Sequence, residues 1–156
     1  MYKLRTPGSK RDLLKQWRLP DRVFFAAGAC HILAYAFIEL YPASGFRAFW
    51  IRPAPEHTGN HIVVMRDALL FDYHGYSQWD SFWAHTKGRA NQWWPGWNAE
   101  VVPIDTVALI SHAHARAYVG LCMKEPGDYL IDPLPRARAY LQRFPAPPLA
   151  AGKSDC

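Results

Sequence analysis

Ala26-Ala27-Gly28-Ala29-Cys30 runs directly into His31-Ile32-Leu33-Ala34-Tyr35-Ala36-Phe37-Ile38-Glu39-Leu40-Tyr41. Further on, Gly59-Asn60-His61-Ile62-Val63-Val64-Met65 is followed by Leu69-Leu70-Phe71-Asp72-Tyr73. In the first segment Cys30, Leu33, Ala34, Phe37, Ile38 and Tyr41 recur at the spacing of one buried helical face. The second segment reads as two strands, His61–Met65 and Leu69–Tyr73, joined by a short turn around Arg66-Asp67-Ala68. A helix, a hairpin and then further helical segments predict an α+β fold. The cysteine-bearing helix packs on a small antiparallel sheet, with additional helices toward the C-terminus.

A thiol, an imidazole and a carboxylate in this order are the parts of a nucleophilic triad. Cys30 in the first turn of a helix has the positive end of the helix dipole beside its sulfur, which favours the thiolate. The unpaired N–H groups of that turn can receive the oxyanion of a tetrahedral intermediate. Gly28 and Ala29 are small enough to let a substrate carbonyl approach. The hairpin supplies a parity condition, because side chains alternate between faces. A two-residue loop pairs Val63 with Asp72 and leaves His61 two positions along on the same face. A four-residue loop pairs His61 with Asp72 directly, and an odd loop would separate them. His74 shares the face of Asp72 and is expected to line the same pocket.

A helix-borne cysteine, a histidine opening a strand and an aspartate on the next strand resemble the papain-like fold in its broad sense. That group includes transglutaminase-like proteins, arylamine N-acetyltransferases and bacterial cell-wall amidases. The resemblance covers Arg22 to Tyr76 of the 156 residues. It implies that Cys30 is the nucleophile, His61 the general base and acid, and Asp72 the group that orients the imidazole. The implied partner is a peptide, isopeptide or acyl-donor substrate, a host protein among them, and neither cofactor nor metal is required. No glutamine just upstream of Cys30 offers a side-chain oxyanion donor.

The length is that of one domain, read as residues 1–144 with a basic N-terminal helical segment, followed by a flexible Pro/Ala/Gly-rich tail, 145–156. Apolar residues make up 50% of the chain and aromatics 15%, enough for a compact core rather than global disorder. The longest apolar candidate, Val23 to Tyr41, is interrupted by Gly28, His31 and Glu39, so no membrane span is expected. The first twenty residues are charged and polar and do not read as a secretory signal. A cytoplasmic location is the expectation, with export by a signal-independent route left open.

Three cysteines without a Cys-x-x-Cys pair suit neither a disulfide framework nor a thiolate zinc site. Zinc held by Cys30, His61 and Asp72, or by His61, Asp72 and His74, lacks a ligand pair at helical i, i+4 spacing. His112 and His114 fall two apart on an expected helix and cannot chelate from one face. Seven of the eighteen basic residues lie within the first 22 positions: Lys3, Arg5, Lys10, Arg11, Lys15, Arg18 and Arg22. Such an arm could contact phosphate, but the aromatic residues lie far along the chain, which disfavours nucleic acid. Two other readings remain: a non-catalytic binding or accessory protein on the same fold, and a nucleic-acid-associated protein using the basic arm.

Elsewhere, Arg11–Arg18 reads as a short amphipathic helix, with Leu13, Leu14 and Trp17 on one side, stopped by Pro20. Phe46–Arg52 reads as a strand. Ser77-Gln78-Trp79-Asp80 looks like a capping box opening a helix to about Lys87, with Gly88 as its stop. Trp79 and Trp83 read as core, whereas Trp94 and Trp97, in a loop from Gln92 to Asn98, read as a wall for substrate. Val101–Ile104 predicts a strand, Thr106–Val119 a helix capped by Asp105, Tyr129–Ile131 a strand, and Asp132-Pro133 the start of a helix through Phe144.

Overall fold

A computed structural model describes residues 12–149. In chain order the helices are α1 (Leu13–Trp17), α2 (Asp21–Ala26), α3 (Cys30–Leu40), α4 (Trp79–Trp93), α5 (His112–Ala115) and α6 (Leu134–Leu141). The strands are β1 (Arg47–Pro53), β2 (His61–Arg66), β3 (Leu69–Asp72), β4 (Gly75–Gln78) and β5 (Ala99–Ile104). They form one antiparallel sheet in the order β4-β3-β2-β1-β5.

Alternation along the strands fills two cores. Ala48, Trp50, Ile62, Val64 and Phe71 point toward α3, where they meet Phe37, Leu33, Ala36 and, from α6, Ala137 and Leu141. Ile51, Val63 and Leu70 point the other way, against Phe82 and Ala90 of α4 and against Trp97. Both faces of the sheet are therefore covered, and residues 61 to 64 of β2 are all buried. Phe37 anchors the first core, its ring 4.8 Å from that of Phe71 and 5.1 Å from that of Phe46. Helix α3 is buried on more than one stripe, since His31, Ile32 and Ala36 join Leu33, Ala34 and Phe37 inside.

The hairpin closes with Arg66 opposite Leu69, so its loop is the two residues Asp67 and Ala68. Asp67 takes a positive φ of 53°, a conformation that aspartate tolerates in tight turns. The parity condition is met by the shorter of the two loops.

Several expectations need correction. Helix α1 turns Gln16 inward and leaves Leu13 and Leu14 exposed. After Pro20 the chain forms α2 at once, because proline is well suited to precede a first helical turn. Ser77 does not cap a helix; it pairs with Leu70 in β4, and α4 runs through Gly88 to Trp93. The helix expected over Thr106–Val119 breaks into a 3-10 turn, Thr106–Leu109, and α5, because Glu125 accepts from the His112 N–H and fixes a new helix start there. Tyr129–Ile131 is not a strand, and Leu130 and Ile131 are exposed. The C-terminal segment is seated on the sheet as far as Pro148: Tyr76 donates to the Pro145 carbonyl at 3.1 Å and Arg66 to the Pro148 carbonyl at 2.8 Å. Lys3, Arg5, Lys10 and Arg11 of the basic arm, and residues 150–156 of the tail, lie outside the described residues. Among the described residues no helix is long and apolar enough to cross a membrane.

Candidate active site

Cys30 is the first residue of α3, and two features of the chain before it explain why the helix starts there. Gly28 adopts φ +140°, a backbone that side-chain-bearing residues rarely take. Tyr129 donates its hydroxyl hydrogen to the Gly28 carbonyl at 2.7 Å, which fixes the peptide leading into Ala29 and Cys30. Burial, reinforced by negative charge at Cys30, pushes the Tyr129 hydroxyl well up, so it remains a neutral donor. Ala29 is fully buried and the Cys30 side chain is half-buried at the edge of the first core.

His61 opens β2 and lies 3.0 Å, through Nε2, from Asp72 Oδ2. Both side chains are buried. The imidazole sits at the seam of the two cores: its ring meets Tyr73 edge-on at 5.5 Å and stacks at 6.3 Å with Phe82 from α4. With Nε2 engaged by the carboxylate, Nδ1 is the nitrogen left for the sulfur, and the His61 and Cys30 side chains are close enough to perturb each other's ionisation. The other carboxylate oxygen, Oδ1, accepts from the His74 backbone N–H at 2.8 Å, with the His74 ring Nδ1 at 3.4 Å. Asp72 is thus satisfied on both oxygens, as a buried carboxylate must be.

The electrostatics of the three groups follow from this arrangement. Burial alone would raise the Cys30 thiol, but hydrogen bonds from His31 and His61, and their charge, bring it well below its ordinary value. Burial would depress His61, yet its hydrogen bonds to Asp72 and Cys30, and the charge of both, raise it to about 9. Asp72 is opposed by burial too, but the hydrogen bonds from His61 and His74 hold it far below the usual carboxylate range. Both shifts favour the thiolate–imidazolium form of the Cys30–His61 pair.

A small, mainly apolar hollow lies beside the sulfur, lined among others by Leu33, Ala34, Ile62 and Tyr73 together with Cys30 and Asp72. Gln16, silent in the sequence, comes to the turn before Cys30. It is buried, its Oε1 accepts from Lys124 Nζ at 2.9 Å, and its Nε2 lies 3.1 Å from where a β-carbon on Gly28 would stand. No local signal marks it, because thirteen residues, α2 among them, separate it from Cys30.

The structure therefore gathers Cys30, His61, Asp72 and His74, with Gly28 and Ala29 immediately before the sulfur. It does not bring the tryptophans there. Trp97 is buried in the second core with its indole N–H on the Thr58 carbonyl at 2.9 Å, and Trp94 packs on the same core. His112 pairs with Asp128 at 2.8 Å and His114 with Ser111 at 3.0 Å. Among the described residues no group of three His, Cys, Asp or Glu side chains is arranged to hold a metal ion. No protein-family model, curated protein or solved structure matches the chain.

Proposed function

We propose that this protein is a thiol-dependent hydrolase or acyltransferase of papain-like arrangement, acting on an amide, isopeptide or thioester. The observation that carries the reading is the buried 3.0 Å contact between His61 and Asp72, placed beside a cysteine that opens a helix. A core histidine needs one acceptor. A histidine held by a carboxylate at one nitrogen and facing a thiol with the other has the geometry of a base and its orienter.

In this reading the thiolate of Cys30 attacks the substrate carbonyl carbon, and the carbonyl π electrons move to oxygen. The Cys30 backbone N–H, unpaired within the helix, and the Gln16 amide stand ready as oxyanion donors. Collapse of the intermediate expels the leaving group, which takes the proton from His61, and leaves a thioester on Cys30. Water or an amine then gives its proton to neutral His61 and attacks the thioester. Thiolate and imidazolium return together. Asp72 keeps the ring in its working tautomer throughout.

Iodoacetamide labelling followed by peptide mass spectrometry tests the proposal within one molecule, since Cys122 is an exposed free thiol and serves as the internal standard. Cys30 is expected to label faster than Cys122 at pH 6 to 7, and His61→Ala to slow it. Equal, ordinary labelling of the two cysteines would remove the basis for an activated nucleophile.

A further inference from the structure

Gln16 is buried, at 2% exposure, although it belongs to a short helix whose Leu13, Leu14 and Lys15 are exposed. Arg136 fastens that helix from α6, donating to Asp21 at 2.8 Å and to the Trp17 and Leu19 carbonyls at 2.7 and 2.6 Å. The two ends of the Gln16 amide have different surroundings. Oε1 accepts from Lys124 Nζ at 2.9 Å, while no acceptor meets Nε2 among the described residues. Nε2 lies against Gly28, two residues before the sulfur. It is the only heavy atom beyond the adjoining residues within 4 Å of where a Gly28 β-carbon would stand.

A primary amide can turn either end toward a neutral neighbour, since one end accepts hydrogen bonds and the other donates them. Lys124 removes that freedom. An ammonium has donors and no lone pair, so only the oxygen end of the amide can meet it. The N–H groups are thereby directed to the Gly28 side. Lys124 is itself tied to the same turn. Its carbonyl accepts from His31 Nε2 at 2.9 Å, and its ammonium lies 5.3 Å from the centre of the Tyr129 ring. The Tyr129 hydroxyl in turn donates to the Gly28 carbonyl.

We propose that Lys124 is a positioning residue for the oxyanion site: it fixes the Gln16 amide so that an N–H group, not the carbonyl oxygen, faces the turn before Cys30. The inference rests on the reading of Cys30 as nucleophile and of Gln16 as an oxyanion donor. With the amide reversed, its oxygen would stand where the developing O⁻ needs a hydrogen bond, and repulsion would replace attraction. Lys124 acts through the amide alone, and no proton passes through it.

Two reactions of Cys30 separate this role from a general effect on the thiol. In alkylation by iodoacetamide the S–C bond forms as iodide leaves, and no oxyanion develops. In acylation by p-nitrophenyl acetate sulfur bonds to the carbonyl carbon, the π electrons move to oxygen and return, and p-nitrophenolate leaves. The ratio of the acylation rate to the alkylation rate cancels the fraction of thiolate. It is measured in full-length variants whose folding is checked by circular dichroism. Acylation is read as first-turnover p-nitrophenolate release less that of Cys30→Ala. Lys124→Met is expected to lower the ratio about tenfold, and Lys124→Arg, whose guanidinium also only donates, to retain most of it. Adding Lys124→Met to Gln16→Ala should lower the ratio no further, because the amide to be oriented is gone. If Lys124→Met does not fold, Lys124→Gln takes its place; its own amide meets Gln16 in either orientation, so the ratio should again fall several-fold. An unchanged ratio in the folded methionine or glutamine variant overturns the proposal, as does a further fall in the double variant. An unchanged ratio in Gln16→Ala removes the oxyanion donor and this inference with it. A Cys30 that alkylates no faster than Cys122 and is not acylated overturns the nucleophile reading itself.

Discussion

His61 meets Asp72 on a diagonal of the hairpin: continuing the β2–β3 register sets Val63 opposite Asp72, and the imidazole crosses to the carboxylate at 3.0 Å. Because the pair is buried, its two members depend on each other. Asp72→Asn keeps the shape but offers the ring an amide, which favours the wrong tautomer. Turnover is expected to fall by up to about 10⁴-fold, as in comparable triads. Asp72→Ala leaves His61 buried without its partner and should cost about 3–5 kcal/mol in urea denaturation. Asp72 is held below its ordinary value of 3.8, so its contribution is complete above that pH and disappears as pH falls. Acid unfolding should therefore be shallower in Asp72→Asn than in the unmodified protein.

Folding moves one proton from sulfur to nitrogen, and this has a consequence for stability at neutral and alkaline pH. Cys30, lowered on folding, contributes stability that grows as pH rises above its lowered value toward the ordinary thiol range. His61, raised from 6.5 to about 9, contributes stability that is complete below 6.5 and lost as pH rises through 9. The two slopes oppose each other because bound protons are equal in number in the folded and unfolded chains over this interval. Melting temperature should accordingly be flat between pH 6.5 and 9. In Cys30→Ala the His61 slope is no longer cancelled but spans a narrower range, because Cys30 supplies part of the rise; stability should fall as pH increases above 6.5, by up to about 1.4 kcal/mol per pH unit. Thermal melts of both proteins across that range decide the matter.

Catalysis should show a bell-shaped dependence of kcat/KM on pH for a chromogenic acyl ester. The acid limb lies at the lowered Cys30 value, where the thiolate is lost, and the alkaline limb near 9, where His61 loses its proton. His61→Ala is expected to abolish the alkaline limb together with most of the rate. A single rise toward the ordinary thiol range would contradict the ion pair.

Gln16 and Gly28 act at one spot, so their substitutions should resemble each other. On the proposed mechanism Gln16→Ala removes an oxyanion donor and is expected to lower kcat about 10²–10³-fold with little change in KM. Gly28→Ala forces a β-carbon to within 3.1 Å of Gln16 Nε2 from a backbone at φ +140°. It should lower kcat too, while costing about 1–3 kcal/mol of stability. Steady-state kinetics beside urea titration separates the two effects.

The tryptophans give the contrasting case. Trp97→Ala opens a void in the second core and strands the Thr58 carbonyl, an expected loss of about 3–5 kcal/mol. Alkylation of Cys30 at a temperature where the variant stays folded should be unchanged. A lowered Cys30 reactivity in folded Trp97→Ala would place the aromatic cluster nearer the site than the packing indicates.

Local patterns carried the parts of the fold that depend on local spacing. The apolar period of Cys30 to Tyr41 specified α3, and two short apolar runs around a tight turn specified β2 and β3. The alternation of side chains along a strand puts His61 and Asp72 on one face for any hairpin loop of even length, and the loop has two residues. It failed where neighbours outside the segment decide. Ser77 has the chemistry of a cap, yet β3 offered its backbone an open edge, and the sheet took it. The run from Thr106 to Val119 suits a helix, yet Glu125 captured the His112 N–H and started a new one. Trp97 lies in a loop, as expected, but α4 covers that face of the sheet and turns an expected wall for substrate into core.

From sequence alone one can know that a thiol opens a buried helix and that a histidine and an aspartate share a strand face, because periods of 3.6 and 2 are set within a few residues. Tertiary structure decided that the two units touch at the same end. It also decided that Gln16, His31, Lys124 and Tyr129, scattered over more than a hundred positions, brace the turn before the sulfur. Such meetings depend on which buried face covers which, a choice made by the burial of the whole core rather than by any short stretch of chain.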